Sequence, residues 1–206
     1  MGNIDAPFGL KPVRHLNGMS WNGQTQKCYI SSSYATALFI GDPVVITGTT
    51  AERDTTGKHL TINKATEGDG NYITGVIVAF EPLKTDLTKK HNPASTERYA
   101  YVVTDPYVIF HIRDNGLGTP DKNMPGANGV LETATAGSTA TGLSGVELDL
   151  SSDVPAADAS NQLTILGIAD IPDNTLADFA IWEVLINLHT FRSTGDGDGS
   201  LGVLGA

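Results

Sequence analysis

Short runs of β-branched and aromatic residues recur along the first half of the chain, and residues that favour turns separate them. Each run is bounded by Gly, Pro, Asn or Asp, which is typical of short strands. The predicted strands are Thr25–Ser31, Ala37–Ile40, Val44–Thr47, Ile73–Phe80, Tyr99–Val103 and Val108–Ile112. This spacing favours a small β-barrel or sandwich over alternating strands and helices. We therefore expect an all-β fold with long polar loops and few or no helices.

The stretch from about residue 114 to residue 161 has a different pattern. It is rich in Ala, Thr, Ser, Gly and Asp, and no aromatic residue occurs between Gly116 and Asn161. We expect a long loop insertion here, with one strand at Gly145–Leu150, where apolar and acidic residues alternate. Loops of this length are often functional in binding.

Two more strands are predicted after the loop, at Leu163–Ala169 and Ala180–Phe191. In the second, Trp182, Val184 and Ile186 fall on one face of an alternating pattern. A short helix through the same residues is the alternative, and a strand is preferred.

The two ends of the chain differ from the β domain predicted at 21–192. Residues 1–20 contain breaks at Pro7, Gly9 and Pro12 but also many apolar residues, which a disordered tail would rarely carry. We expect an extended N-terminal arm that lies on a neighbouring surface or is tucked into its own barrel. Residues 193–206 are rich in glycine and are expected to form a tail.

A turn is predicted where Gly41-Asp42-Pro43 separates two β-branched runs. Proline lacks an amide donor and restricts the residue before it, so this tripeptide cannot continue a central strand. The run that resumes at Val44 indicates that the chain turns and re-enters a sheet.

The net charge of −10 over 206 residues is unevenly distributed. Residues 1–28 have a net charge of +2, residues 29–100 of −1, and residues 101–206 of −11, and no Lys or Arg occurs between Lys122 and Arg192. Such a chain repels phosphate backbones, so we expect no nucleic-acid partner. The acidic half is expected to form a solvated surface.

Nothing in the sequence indicates a membrane or an oxidising compartment. The first residues lack the basic start and apolar stretch of a signal peptide. No apolar run approaches the roughly 18 residues that a membrane span needs. The single cysteine, Cys28, excludes an intrachain disulfide framework. We expect synthesis in the cytoplasm and no membrane partner.

Three stretches match the letters of functional motifs but not their contexts. Gly197–Gly202 reads GxGxxG, but only four residues follow it, which is too few for the helix that a dinucleotide-binding motif requires. Asp196–Ser200 resembles the start of a calcium loop without its later ligands. Gly142–Val146 places glycine directly after Ser144, which breaks the nucleophile-elbow pattern. We expect no cofactor.

The titratable residues form no catalytic or metal-binding pattern either. The five histidines are far apart in sequence and show no HxH, HxxxH or HExxH spacing; they are His15, His59, His91, His111 and His189. Cys28 lies in a predicted strand and is interpreted as a buried thiol. Asp149 and Asp153 lack the aromatic neighbours typical of a sugar site. We expect neither an enzyme nor a metal site.

Several blocks of the sequence resemble a family of structural proteins from tailed-phage virions. They cover most of the chain outside 48–71, 82–98 and 114–140. The blocks are Asn3–His15, Phe39–Val44, Gly75–Val78, Tyr101–Phe110, Gly142–Asp149, Leu166–Ile168 and Pro172–Asn174. None of them is a catalytic motif.

The resemblance implies a head decoration (cement) protein on the capsid exterior. Its expected partners are the major capsid protein and further copies of itself, as a homotrimer. The arm is the expected interface, through Ile4, Pro7, Phe8, Leu10, Val13 and Arg14. The alternatives are a host- or glycan-binding module on the virion surface and a tail or neck component.

Overall fold

The computed structural model describes residues 3–47 and 53–192, and these contain strands but no helix. The fold is all-β, as predicted. The strands are β1 (Lys11–His15), β2 (Gln26–Ile30), β3 (Pro43–Ile46), β4 (Leu60–Lys64), β5 (Gly75–Phe80), β6 (Arg98–Val103), β7 (Val108–Arg113), β8 (Asn128–Gly129), β9 (Leu131–Glu132), β10 (Glu147–Leu148), β11 (Leu163–Ile168) and β12 (Ile181–Ile186).

Five strands close into a small barrel in the order β2-β4-β3-β5-β6. β2 pairs with β6 antiparallel and with β4 parallel, and Cys28 lies opposite Ala100 and Leu60 in these two pairs. The interior is filled by small and β-branched side chains, among them Ile30, Ile62 and Val102. Closure leaves no free sheet edge in this part of the molecule.

A second sheet has the strand order β1-β7-β12-β11-β8, with all neighbours antiparallel. Its central strands β7 and β12 place Phe110 opposite Val184 and Ile112 opposite Trp182. These four side chains are buried, because alternate residues of each strand point to the same face. β12 confirms the predicted strand, which ends at Ile186 rather than Phe191; the helix alternative is wrong.

The barrel and the sheet share one hydrophobic core. Val76 of β5 and Val103 of β6 belong to the same buried cluster as Phe110 and Trp182 of the sheet. The outer face of these two barrel strands is therefore covered by the sheet.

The polar stretch between β7 and β11 also contributes to this core. Leu131, Val146, Leu148 and Leu150 are buried in it, and β9 and β10 pair as a two-stranded ribbon. The strand predicted at Gly145–Leu150 is only Glu147–Leu148.

The strand predicted at Ala37–Ile40 is wrong. Leu38 and Ile40 make isolated bridges to two different segments, at Asn92 and Leu143, so no continuous ladder forms. β1, β4, β8 and β9 were not predicted. The glycine-rich tail, with its GxGxxG and calcium-loop letters, lies outside the described residues. Among the described residues, no helix is long and apolar enough to cross a membrane.

Candidate interaction surface on the N-terminal arm

The N-terminal arm is attached to the rest of its own chain at several points. The Asn3 side-chain amide donates to the carbonyl oxygens of Thr175, Ala177 and Asp178 at 2.9–3.1 Å, and its oxygen accepts from the Thr175 amide at 3.0 Å. Further on, β1 pairs with β7 from Lys11 opposite His111. Of the two arrangements left open by the sequence, the described chain has the arm packed on its own molecule.

Beneath the arm lies a buried ionic cluster centred on Arg113. This guanidinium contacts Glu147 and donates to Asp5 at 2.6 Å, and it lies 4.8 Å from the Phe179 ring. Burial raises the pKa of Glu147, although Arg113 opposes this shift. Asp114 accepts from Trp182 Nε1 at 3.0 Å. The cluster joins the arm, β7, β10 and β12, which makes it a structural anchor.

The arm meets the barrel at two glycines. The Leu10 amide donates to the Gly41 carbonyl at 2.9 Å. Gly9 and Gly41 have φ of +72° and +94°, and a Cβ on Gly41 would lie 2.3 Å from the Phe8 carbonyl oxygen. Only glycine permits this approach. The resemblance blocks at Phe8–Gly9 and Gly41 thus contact each other.

Asp42 is the charged residue of the Gly-Asp-Pro turn, and it is fully buried. Its carboxylate accepts from the Phe39 amide at 2.7 Å and from Ser144 Oγ at 2.6 Å, and lies 3.4 Å from Lys64 Nζ. Burial raises the pKa of Asp42, and Lys64 and Ser144 partly offset the shift. The turn therefore fastens the barrel to the segment that contains Ser144, which has a structural partner instead of a catalytic one.

An apolar cleft of about 770 Å³ opens between β1 and the barrel. We call it the β1 cleft; its main apolar residues are Phe8, Leu10, Trp21, Ile77, Tyr101 and Ile181. Among the described residues that line it, the basic ones are Lys11 and His111. Burial lowers the pKa of His111, and the nearby Glu183 opposes the shift. A cleft of this size and polarity suits apolar side chains from a binding partner.

A smaller cleft of about 300 Å³ lies on the other side of Phe8. Ile4 and Ile171 line it, and Leu176 is close by because its neighbours Thr175 and Ala177 bind Asn3. We call Ile4, Ile171 and Leu176 the arm patch. Their exposures are 76%, 37% and 44%, so all three aliphatic side chains are open to solvent. Such patches mark interaction sites.

The six predicted interface residues occupy different environments. Ile4 is exposed in the arm patch, while Pro7, Phe8 and Val13 are half-buried. Arg14 pairs with Glu183 at 2.5 Å. Leu10, at 1% exposure, lies in the molecule's own core. Five of the six thus retain some accessible surface, and Leu10 does not.

Sequence reasoning missed the residues that complete these surfaces. Four residues from outside the predicted arm line the β1 cleft. They are Trp21, which follows the arm directly, Tyr101 of β6, His111 of β7 and Ile181 of β12. Ile171 and Leu176 were assigned no role. In the sequence, Ile171 and Leu176 stand out only because they flank the Pro172–Asn174 block. This signal is too weak to predict that they lie near Ile4.

The described residues contain no group of three or more His, Cys, Asp or Glu side chains that could hold a metal ion. His189 is fully buried, and burial lowers its pKa to about 4. Burial raises the pKa of the Cys28 thiol to about 12. Both groups are therefore uncharged near neutral pH.

Comparison of the chain with protein-family models, with curated proteins and with solved structures finds no match.

Proposed function

We propose that this chain is a structural protein of a tailed-phage virion that decorates the outside of the head. In this proposal it binds the major capsid protein through the arm patch and associates with further copies of itself, as a trimer. The observation that carries the proposal is the arm patch, because it exposes apolar side chains on a segment that rigid contacts hold in place. A preorganised surface loses little entropy on binding.

The resemblance blocks support the same proposal through their positions. The Asn3–His15, Phe39–Val44 and Gly142–Asp149 blocks meet at Gly41 and Asp42, where Leu10 and Ser144 bind. They build the support for the arm. In a decoration protein this support would keep the arm in one orientation towards the shell.

Binding to purified shells tests the proposal. Capsids that lack the chain are mixed with the wild-type protein, and bound copies are counted after sedimentation. Ile4→Asp places a charge in the arm patch and is expected to weaken binding at least about tenfold, or about 1.4 kcal/mol. The matched control is Leu87→Asp, because Leu87 is 79% exposed but lies in the 82–97 loop; its binding should be unchanged.

Two outcomes would contradict the proposal. Wild-type protein that fails to bind the shells would remove the capsid partner, and equal binding by both variants would remove the arm patch. A reconstruction of the intact particle would locate the chain independently. Density on a tail or neck, or at the tip of a receptor-binding structure, would favour the alternatives.

A further inference from the structure

The β1 cleft carries an unbalanced positive charge at its rim. Arg14 and His111 both approach Glu183, at 2.5 and 3.6 Å. Lys11 is exposed and forms no ion pair with any described residue. In a chain with a net charge of −10, this is a local excess of positive charge beside an apolar opening.

The opposite edge of the same sheet carries the complementary feature. Asp69 and Asp158 lie close enough to Asp153 for their charges to repel it, and the next residue, Val154, is 58% exposed. We call these four residues the acidic patch. They lie beside β8, because Asn128 bridges Ala156 and its side-chain amide donates to the Asp158 carbonyl.

The acidic patch has no cation to balance it within the described residues. No ion pair between described residues involves any of its three carboxylates. Asp153 accepts no hydrogen bond from a described residue, and burial followed by repulsion from Asp69 raises its pKa. A positive charge brought from outside would relieve this repulsion.

Lys11 cannot neutralise the acidic patch of its own molecule. The sheet order β1-β7-β12-β11-β8 separates the two edges by four strand spacings, or about 19 Å. Charges at that distance are largely screened in physiological salt. Two copies placed edge to edge in the same direction would bring the two features together.

We infer that the β1 cleft of one copy receives the acidic patch of a second copy, with Val154 entering the apolar opening and Asp153 facing Lys11. The contact joins different surfaces of the two copies, so it is heterologous and closes into a ring when the rotation permits. The inference rests on the proposed function, which includes self-association, and it specifies the two surfaces through which the copies bind each other. It is independent of the capsid partner.

Charge exchange tests the contact by sedimentation velocity over a range of protein concentrations. Salt of about 0.1 M gives a Debye length of about 10 Å, which screens the long-range repulsion between acidic copies but not a direct contact. Lys11→Glu and Asp153→Lys should each weaken association at least about tenfold. The double variant Lys11→Glu/Asp153→Lys restores opposite charges and should recover most of the loss.

The matched control is Lys58→Glu, which changes the net charge equally at an exposed lysine between β3 and β4. It should leave association unchanged. Lys11 and Asp153 are suitable sites because neither side chain forms a hydrogen bond or ion pair with a described residue, and unfolding curves would verify that each variant folds.

The inference is overturned by any of three results. The wild-type protein stays monomeric, Lys11→Glu and Lys58→Glu weaken self-association equally, or the double variant does not recover the self-association that the single variants lose. The last two results would leave self-association standing and remove only this contact. Binding to capsid shells, measured separately, reports on the proposed function without depending on either result.

Discussion

His189 shows how one buried side chain sets a pH response. Its ring is fully buried, Nδ1 accepts from the Phe191 amide at 3.1 Å, and Nε2 has no partner among the described residues. Burial, and secondly the charge of Arg192, lowers its pKa to about 4 from an ordinary value of 6.5. The folded protein therefore excludes a proton that the unfolded chain accepts.

We predict that this difference destabilises the protein as the pH falls from about 6.5 towards 4, with no effect above that window. Between pH 7 and pH 5 the contribution of His189 is about 2 kcal/mol. Urea unfolding at both pH values measures it in the wild type and in His189→Gln. The loss of stability between the two pH values should be smaller in the variant by about that amount.

The wild type must be compared with His189→Gln because other buried groups change the stability with pH in the direction opposite to His189. Burial raises the pKa values of Asp42 and Asp114, which makes the folded state bind protons more tightly and adds stability as the pH falls. These groups are unchanged in His189→Gln, so they cancel. An equal pH dependence in the two proteins would contradict the prediction.

At the scale of elements, the junction between arm and barrel depends on close backbone contact. We predict that Gly41→Ala costs about 2 kcal/mol or more, because its Cβ would lie 2.3 Å from the Phe8 carbonyl oxygen in addition to the strain at φ +94°. Gly18→Ala is the matched control, since Gly18 has φ +88° and open space around it.

Equilibrium urea unfolding of both variants separates the two costs. Gly18→Ala carries only the backbone strain, about 1 kcal/mol. Gly41→Ala should lose clearly more, because the arm must move away from the barrel or the barrel must deform. Equal losses would show that the close approach contributes nothing to the attachment of the arm.

The strands that could be predicted from the sequence are those with a continuous β-branched or aromatic run. β5 and β7 are examples, because the residues that fill the core are also the ones that favour strands. β1 reads Lys-Pro-Val-Arg-His, has a bulge between Pro12 and Arg14, and forms only by pairing with β7, a hundred residues away at Lys11 and His111. Local pattern cannot reveal such a strand.

The residues of the candidate surfaces also divide into those visible in the local sequence and those brought together only by the fold. Ile4 and Phe8 could be predicted because an arm rich in apolar residues is visible in the sequence. The rest of the β1 cleft could not, because Tyr101 and Ile181 reach it from two separate layers. Their side chains come together only once the barrel and the sheet share a core. The position of Lys11 relative to the acidic patch could not be predicted either, because it depends on the strand order, which places the two at opposite edges of one sheet.

At the scale of the molecule, the shared core makes the barrel and the sheet a single folding unit. Val76 and Val103 belong to barrel strands, yet they pack in the cluster that contains Trp182. If either layer unfolded alone, the other would expose these apolar side chains to water at a cost of about 25 cal/mol per Å². We therefore predict one cooperative unfolding transition.

Two native probes report on the two layers. Cys28 lies inside the barrel, where burial raises the pKa of its thiol to about 12 and leaves it fully inaccessible, so a thiol reagent labels it only after the barrel opens. Trp182 reports on the sheet through its fluorescence once Trp21→Phe has removed the other tryptophan. The midpoints of labelling and of fluorescence in urea should coincide.

The alternative behaviour has a distinct signature. Labelling of Cys28 at urea concentrations where Trp182 is still native would show that the barrel opens independently, and the core residues of β5 and β6 would then not couple the layers. Val103→Ala gives a second measure, because it leaves a cavity in the shared cluster that costs about 1 to 3 kcal/mol. In a single folding unit both midpoints move down together; in two units they separate.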